Sequence, residues 1–242
     1  MQPPISVQES NQLCQVFRSD PTPSCQPRQS ENWDKWVGDR YKKYSSCITP
    51  SLLKKMKKDW AISGRGSTLQ GTESLRNLLA DLFHNETLNI KTFFDCPCGD
   101  WLWMQQVDLS TVQYFGGDIT KMTIQKNTEC FEQSNVHFHH LDWSCSIPPP
   151  VDLLLVRDVL FHLSTSVVLD ILRHINQSGA RYLLTTTFPN NTEKPDNYHS
   201  DGVGYRSINL YGAPYHFPSP LVMAPEGSRH VGLWKLPIEL DG

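Results

Sequence analysis

The sequence lacks most of the features that assign a protein at a glance. It has no run of about 18 apolar residues, so no segment reads as a membrane-spanning helix. Its seven cysteines contain no Cys-x-x-Cys pair, which argues against a zinc ribbon. There is no basic surplus: 22 Lys and Arg stand against 25 Asp and Glu, a net charge of −3. A nucleic-acid partner is therefore not expected, and the one basic cluster, Lys54 to Lys58, reads as a solvated helix face. Cys14, Cys25, Cys47, Cys96, Cys98, Cys130 and Cys145 are odd in number and unevenly spaced, so they do not describe a disulfide framework. Cys14 and Cys25 can pair in an oxidising compartment, while Cys96 and Cys98 read as small residues of a tight turn. No secretory leader is recognisable, which makes the cytoplasm the default expectation. Three Asn-x-Ser/Thr sequons, at Asn85, Asn176 and Asn190, lean the other way, toward a Golgi or secretory lumen behind a missing N-terminal anchor.

What is present suits one α/β domain with appendages: 242 residues, 38% of them hydrophobic, with a mean hydropathy of −0.42. Residues 1–32, rich in Gln, Ser and Pro, read as a polar arm with little core. Residues 33–88 read as a helical cap. Trp33, Trp36, Tyr41, Tyr44 and Leu52 carry its first part, Ser63-Gly-Arg-Gly-Ser67 breaks it, and Thr68 or Thr72 caps a second helix with Leu75, Leu78, Leu79, Leu82 and Phe83 toward one face. From 89 to 242 strands and helices alternate. Strands are expected at 92–95, 113–118, 136–141, 151–156 and 182–187, and helices at 104–107, 122–130 and 167–175. A hairpin at 221–236, turning at 225–229, closes the series. Apolar-run strands separated by helices predict a Rossmann-like, seven-stranded, mostly parallel sheet with helices on both faces and a C-terminal antiparallel hairpin. The segment 190–219 is too long for an ordinary connection and reads as a functional lid.

Ligands of such sheets bind at the carboxyl ends of the strands. Four expected strands end at Asp95, Asp118, Asp142 and Arg157-Asp158. Each acid alone suits a helix cap; four in order describe a polar rim. Asp118 follows Asp95 by one β-loop-α-β unit, where nucleoside-binding folds place the acid that accepts from ribose hydroxyls. The loop Asp95-Cys-Pro-Cys-Gly-Asp100 has Pro97, Gly99 and Trp101 where a dinucleotide fingerprint has glycines. Bulky Trp101 disfavours close approach of a pyrophosphate, so NAD and FAD lose ground to a cofactor without phosphates.

At this point a resemblance emerges. Asp95-Cys-Pro-Cys-Gly-Asp-Trp-Leu-Trp-Met104 resembles motif I of class I S-adenosylmethionine-dependent methyltransferases, in a subgroup reading Asp-x-Pro-Cys-Gly-Asp-x-x-Trp-Met. The likeness continues through Phe115-Gly-Gly-Asp-Ile119, Leu141-Asp-Trp143, Arg157-Asp-Val-Leu-Phe-His-Leu163, Tyr205-Arg-Ser-Ile-Asn-Leu210 and Gly232-Leu-Trp-Lys-Leu236. The subgroup resembles sugar O-methyltransferases. The resemblance implies S-adenosyl-L-methionine as cofactor. Asp95, Pro97, Cys98, Gly99 and Asp100 would line its methionine end and Asp118 its ribose. Ile119, Asp142 and Trp143 would meet the adenine, and Arg157 would stand beside the methionine portion. Asp158 and His162, four residues apart, are the candidate catalytic pair, with imidazole suited to take a hydroxyl proton near neutrality; a helix-cap Asp158 and a core His162 are the plain alternatives. Tyr205, Arg206, Asn209 and Tyr215 would bind the acceptor, a carbohydrate or other polyhydroxylated molecule. No metal is expected: His137, His139 and His140 read as edge-strand polarity. An N-methyltransferase acting on a small molecule or protein is a second reading, weakened by the lack of an Asn-Pro-Pro-Tyr or Asp-Pro-Pro-Tyr run after the fourth strand. A non-catalytic cofactor-fold module is a third.

Overall fold

The computed structural model describes residues 35, 37–39, 41, 47, 61–143, 146–192 and 205–239. The polar arm at 1–32, and Trp33, Trp36, Tyr44 and Leu52 of the expected cap, lie outside the described residues; residues 35, 37–39 and 41 are helical.

Seven strands form one sheet: β1 (Thr92–Asp95), β2 (Gln113–Asp118), β3 (Val136–His140), β4 (Leu153–Val156), β5 (Tyr182–Thr187), β6 (Val222–Glu226) and β7 (Arg229–Lys235). Their order is β3-β2-β1-β4-β5-β7-β6. The first five strands are parallel, and β7 runs antiparallel to β5 and β6. The central strands are apolar on both sides because both faces are covered. Phe94, Phe115, Leu154 and Leu183 face one way, against Val168, Ile171, Leu172 and Ile175 of helix α3 (Thr165–Gln177). Phe93, Tyr114, Leu153, Leu155 and Leu184 face the other way, against Leu75, Leu78, Leu79 and Leu82 of α1 (Glu73–His84). Helix α2 (Lys121–Phe131) adds Ile124 and Phe131 to that second core. Burial of each such side chain contributes roughly 1.5–3 kcal/mol.

Thr72 occupies the N-cap position of α1, but its hydroxyl donates back to the Thr68 carbonyl at 2.9 Å rather than capping the helix. The 136–140 strand lies at the sheet edge, which accounts for its His-rich, half-exposed pattern. The other edge, β6, exposes Leu221, Val222 and Met223 and contains Pro225.

Three expectations change. First, the stretch around 104–107 is only a 3₁₀ turn, Met104–Gln106. Trp101 stands in the left-handed region (φ 54°) and turns its ring into the core, 4.9 Å from Phe131 and 5.6 Å from Phe138. The loop after β1 therefore withholds a phosphate cradle because no α-helix N-terminus follows it, not because Trp101 blocks the way.

Second, most of the described part of 190–219 packs into the core, while Tyr205 lines the cavity described below. Ile208, Leu210, Tyr215 and Phe217 are buried in the α3-side core, and the Phe188 N–H donates to the Ile208 carbonyl at 2.8 Å. These residues strap that face of the sheet. Residues 193–204 lie outside the described residues.

Third, a disulfide joins Cys47 to Cys130, 83 residues apart. Irregular spacing concealed it because such a pair is set by tertiary proximity. Cys96 and Cys98 are buried thiols, as their place in a tight loop implies. Cys14, Cys25 and Cys145 lie outside the described residues.

Candidate active site

The strand order reverses between β1 and β4, and at that switch point the carboxyl ends of β1 to β4 open into a cavity of about 780 Å³. Asp95, Pro97, Cys98, Gly99, Asp118, Ile119, Asp142, Trp143, Arg157, Asp158, His162 and Tyr205 all line it, so most of the sequence-derived candidates converge on one space.

The β1–β3 side is acidic and buried. Asp95 ends β1 and accepts from the Tyr114 hydroxyl at 2.9 Å. Burial raises its pKa to about 8; the Tyr114 bond and the Arg157 charge oppose the rise, and Asp118 adds to it. Asp118 ends β2. Its Oδ2 accepts from the Gly99 N–H at 3.1 Å, and its Oδ1 accepts from the Thr120 N–H at 2.8 Å and from the Thr120 hydroxyl. Burial raises its pKa too, against those three donors. Each carboxylate oxygen has two lone-pair sites, so Asp118 keeps capacity for an incoming hydroxyl.

Gly99 makes this arrangement possible. Its φ of 55° is left-handed, and a Cβ there would collide with the Ser63 hydroxyl. Asn127 holds the loop by donating to the Gly99 carbonyl at 2.8 Å and to Cys98 Sγ at 3.6 Å. Burial drives the Cys96 and Cys98 thiols upward, which keeps them un-ionised.

Asp100 does not line the cavity. Its carboxylate accepts from the backbone N–H groups of Ile62 (2.6 Å), Ser63 (3.0 Å) and Leu102 (3.2 Å), pinning the 62–63 segment to the loop. Across the floor, Trp143 stacks on Phe94 at 5.5 Å and its carbonyl accepts from His174. The Ile119 carbonyl accepts from His140 at 2.9 Å.

The β4 side is built differently. Arg157 is buried, yet its guanidinium meets Glu226 through two bonds of 3.2 Å, Asp158 at 3.2 Å and the Gly66 carbonyl at 2.8 Å. Its ring neighbour is Trp103, 5.7 Å from the cation. Arg229 donates to Asp158 Oδ2 at 2.7 Å and faces Glu226 at 3.5 Å. Asp158 sits at φ 55°, a strained setting of the kind found at functional sites. Thr186 accepts from its N–H at 3.1 Å and donates to its Oδ1 at 3.3 Å. Two arginines and a hydroxyl thus engage Asp158, which leaves it a positioned acceptor rather than an unencumbered base. Glu226 and Arg229 were missed by sequence reasoning. They lie 69 and 71 residues from their partners, on the tip of the β6–β7 hairpin, and carry no local signal.

His162 lies in the 3₁₀ turn Leu160–His162 and reaches the cavity beside Phe161 (4.5 Å) and Tyr205 (6.3 Å). Tyr205 is 57% exposed and packs edge-on to Phe161 and Phe188. The other three acceptor candidates are not among the lining residues. Arg206 bonds the Leu163 carbonyl and the Tyr215 hydroxyl, Asn209 bonds the carbonyls of Pro189 and Asn191, and Tyr215 is 1% exposed. All three secure the strap from within. His137 meets Glu132 at 3.4 Å and lies along Phe115, and no group of three metal-ligating side chains stands together among the described residues.

No family model matches the chain. Among solved structures it is similar to the magnesium protoporphyrin IX methyltransferase ChlM from Synechocystis PCC 6803 with bound SAH. The TM-score is 0.57 and the identity 13%, over 86% of this chain and 98% of that one. It is similar also to PigF with SAH (TM-score 0.54, 12% identity, 94% of this chain and 69% of that one). A third similar structure is the 16S rRNA methylase ArmA (TM-score 0.50, 15% identity, 85% and 98%). At these identities the likeness is one of fold, and it agrees with the strand order and the position of the cavity. The chain has the Rossmann-like fold of S-adenosylmethionine-dependent methyltransferases.

Proposed function

We propose that this chain is an S-adenosylmethionine-dependent O-methyltransferase acting on a carbohydrate hydroxyl. The observation that carries the cofactor is the acidic half of the cavity. Buried Asp118, with Asp95 and Asp142 lining the same half, offers acceptors to a ribose and to polar groups of the cofactor. The same half, with no helix N-terminus after β1, suits a pyrophosphate poorly. The residues present therefore fit this cofactor.

When bound, S-adenosylmethionine supplies an activated methyl group on a sulfonium. Asp118 would hold the ribose hydroxyls, Ile119 and Trp143 would flank the adenine with Asp142 accepting from its amino group, and the 95–99 loop would receive the methionine portion. Arg157 stands where that portion meets the acceptor. His162, lining the acceptor end, would take the hydroxyl proton at its imidazole, an effect worth typically about 10²–10⁴-fold. Asp158, held by Arg157 and Arg229, would orient the hydroxyl by accepting from it. The rings of Tyr205 and Phe161 offer the apolar face on which a sugar ring stacks.

Calorimetry with S-adenosylhomocysteine tests the cofactor: micromolar binding is expected, and absence of heat at excess ligand removes the assignment. A labelled-methyl screen over glycans, phenols, peptides and RNA tests the acceptor. RNA belongs in it because one similar structure is an rRNA methylase; incorporation only into RNA or peptide overturns the sugar reading.

An oxidising compartment fits the Cys47–Cys130 bond. Of the three sequons, Asn85 and Asn190 are exposed. Asn176 is committed, donating to the Ile238 carbonyl at 2.7 Å and accepting from its N–H at 2.9 Å, so a glycan there would displace the C-terminal segment. No described helix is long and apolar enough to cross a membrane.

A further inference from the structure

Part of the cavity lining comes from a residue near the N-terminus that belongs to none of the motifs above, Val37. Gly38 lies over the first turn of α2, where an added Cβ would stand 3.7 Å from Met122 Cε. Tyr41 packs against Ala61, Ile62 and Leu102, and its hydroxyl hydrogen-bonds Thr123, the next residue along that same turn. Thr123 in turn is three residues beyond Thr120, which binds Asp118.

Cys47 is bonded to Cys130, in the last turn of α2. Met122 and Cys130 are about two turns apart, roughly 12 Å along the helix at 1.5 Å per residue. Gly38 and Tyr41 thus meet the first turn of α2 by packing, and Cys47 meets its last turn by a covalent bond. Among the described residues α2 buries only Thr123 and Asn127 fully, so the bond adds a covalent tie to a contact that α2 itself meets with few fully buried side chains. Cys47 is exposed and Cys130 partly so, which leaves the bond open to a thiol reductant.

We propose that Val37 is part of the wall of the proposed cofactor cavity, that Tyr41 anchors it on α2, and that the Cys47–Cys130 bond helps hold both there, so that reducing the bond weakens cofactor binding. A dithiol would transfer two electrons and two protons to the bond, leaving two protein thiols and its own cyclic disulfide. The freed Tyr41 would then give up its place beside Thr123. This rests on the methyltransferase reading above.

The test titrates S-adenosylhomocysteine into the untreated chain, the dithiothreitol-treated chain and the Cys47→Ser/Cys130→Ser double variant, with circular dichroism confirming the fold of each. Binding five- to tenfold weaker in the treated chain, matched by the double variant, is the expected result. The double variant itself should no longer respond to dithiothreitol, which separates this bond from other cysteines. Tyr41→Ala with the bond intact is expected to weaken binding to a similar degree, and it keeps the test open if the reduced chain unfolds. Equal affinity across all four proteins overturns the wall. Absence of binding in every form, the untreated chain included, overturns the cofactor reading and this inference with it.

Discussion

The two halves of the cavity handle buried charge in opposite ways. On the β4 side two cations and two anions, Arg157, Arg229, Asp158 and Glu226, neutralise one another within 3.5 Å. On the β1–β2 side Asp95 and Asp118 are buried with hydrogen-bond donors and, among the described residues, no salt bridge, and burial raises both. A balanced network is complete without a ligand and serves to clamp the hairpin tip, the Gly66 carbonyl and β4 together. The two buried carboxyls, pushed toward the neutral form, are held by hydrogen bonds from Tyr114, Gly99 and Thr120. The contrast separates the part of the site held by paired charge from the part held by hydrogen bonds.

Breaking the balanced half should cost most. Glu226→Ala would leave Arg157 buried beside a single carboxylate; removing one partner of a buried pair costs roughly 3–5 kcal/mol. Urea denaturation should show that loss, and a cost below 1 kcal/mol would mean the network is not a clamp. In the other half the effect should reach binding. Asp118→Ala is expected to weaken S-adenosylhomocysteine by about 10–100-fold, the worth of one hydrogen bond to a charged group at about 1.5–3 kcal/mol, and to lower stability as well, because the Gly99 and Thr120 N–H groups lose their acceptor. Unchanged affinity in calorimetry removes Asp118 from the ribose role.

Asn209→Ala probes neither half. It loses bonds to Pro189, Asn191 and Tyr211 and should cost about 1–2 kcal/mol of stability while leaving cofactor affinity alone. A fall in acceptor KM specificity without loss of stability would restore it to the acceptor site.

A pH slope is a further test. Asp95 has a folded pKa of about 8, well above the ordinary carboxylate range, so the folded chain binds the extra proton. Its stabilising contribution is full below pH 4 and is lost as pH rises through 8. Asp95→Asn should remove that slope, so that its melting temperature gains on the parent chain between pH 5 and pH 9. Parallel curves would contradict a buried, protonated Asp95.

The sheet was legible because its signals are local. Strand 182–187 announces itself as Tyr-Leu-Leu-Thr-Thr-Thr, and β1 and β2 each end in the acid that their position requires. The rim acids converge because parallel strands put like ends together. What escaped reading depends on partners far along the chain: Glu226 on Arg157, Cys47 on Cys130, Tyr41 on Thr123. The 205–218 strap was mistaken for a lid because aromatic, Pro-rich composition suits both. The discriminating cue was Ile208, Leu210, Tyr215 and Phe217, four large apolar side chains that an open lid has nowhere to bury.

The free edge at β6 carries a consequence for the chain's behaviour in concentrated solution. Exposed Leu221, Val222 and Met223 form the kind of sticky margin onto which a second molecule can add a strand. Pro220 precedes that margin and Pro225 sits within β6, and neither has an N–H to offer a newcomer. The ladder a stray strand would need is interrupted at both places. Pro225→Val would restore one rung, and light scattering of that variant on storage should report growing particles where the parent chain stays dispersed.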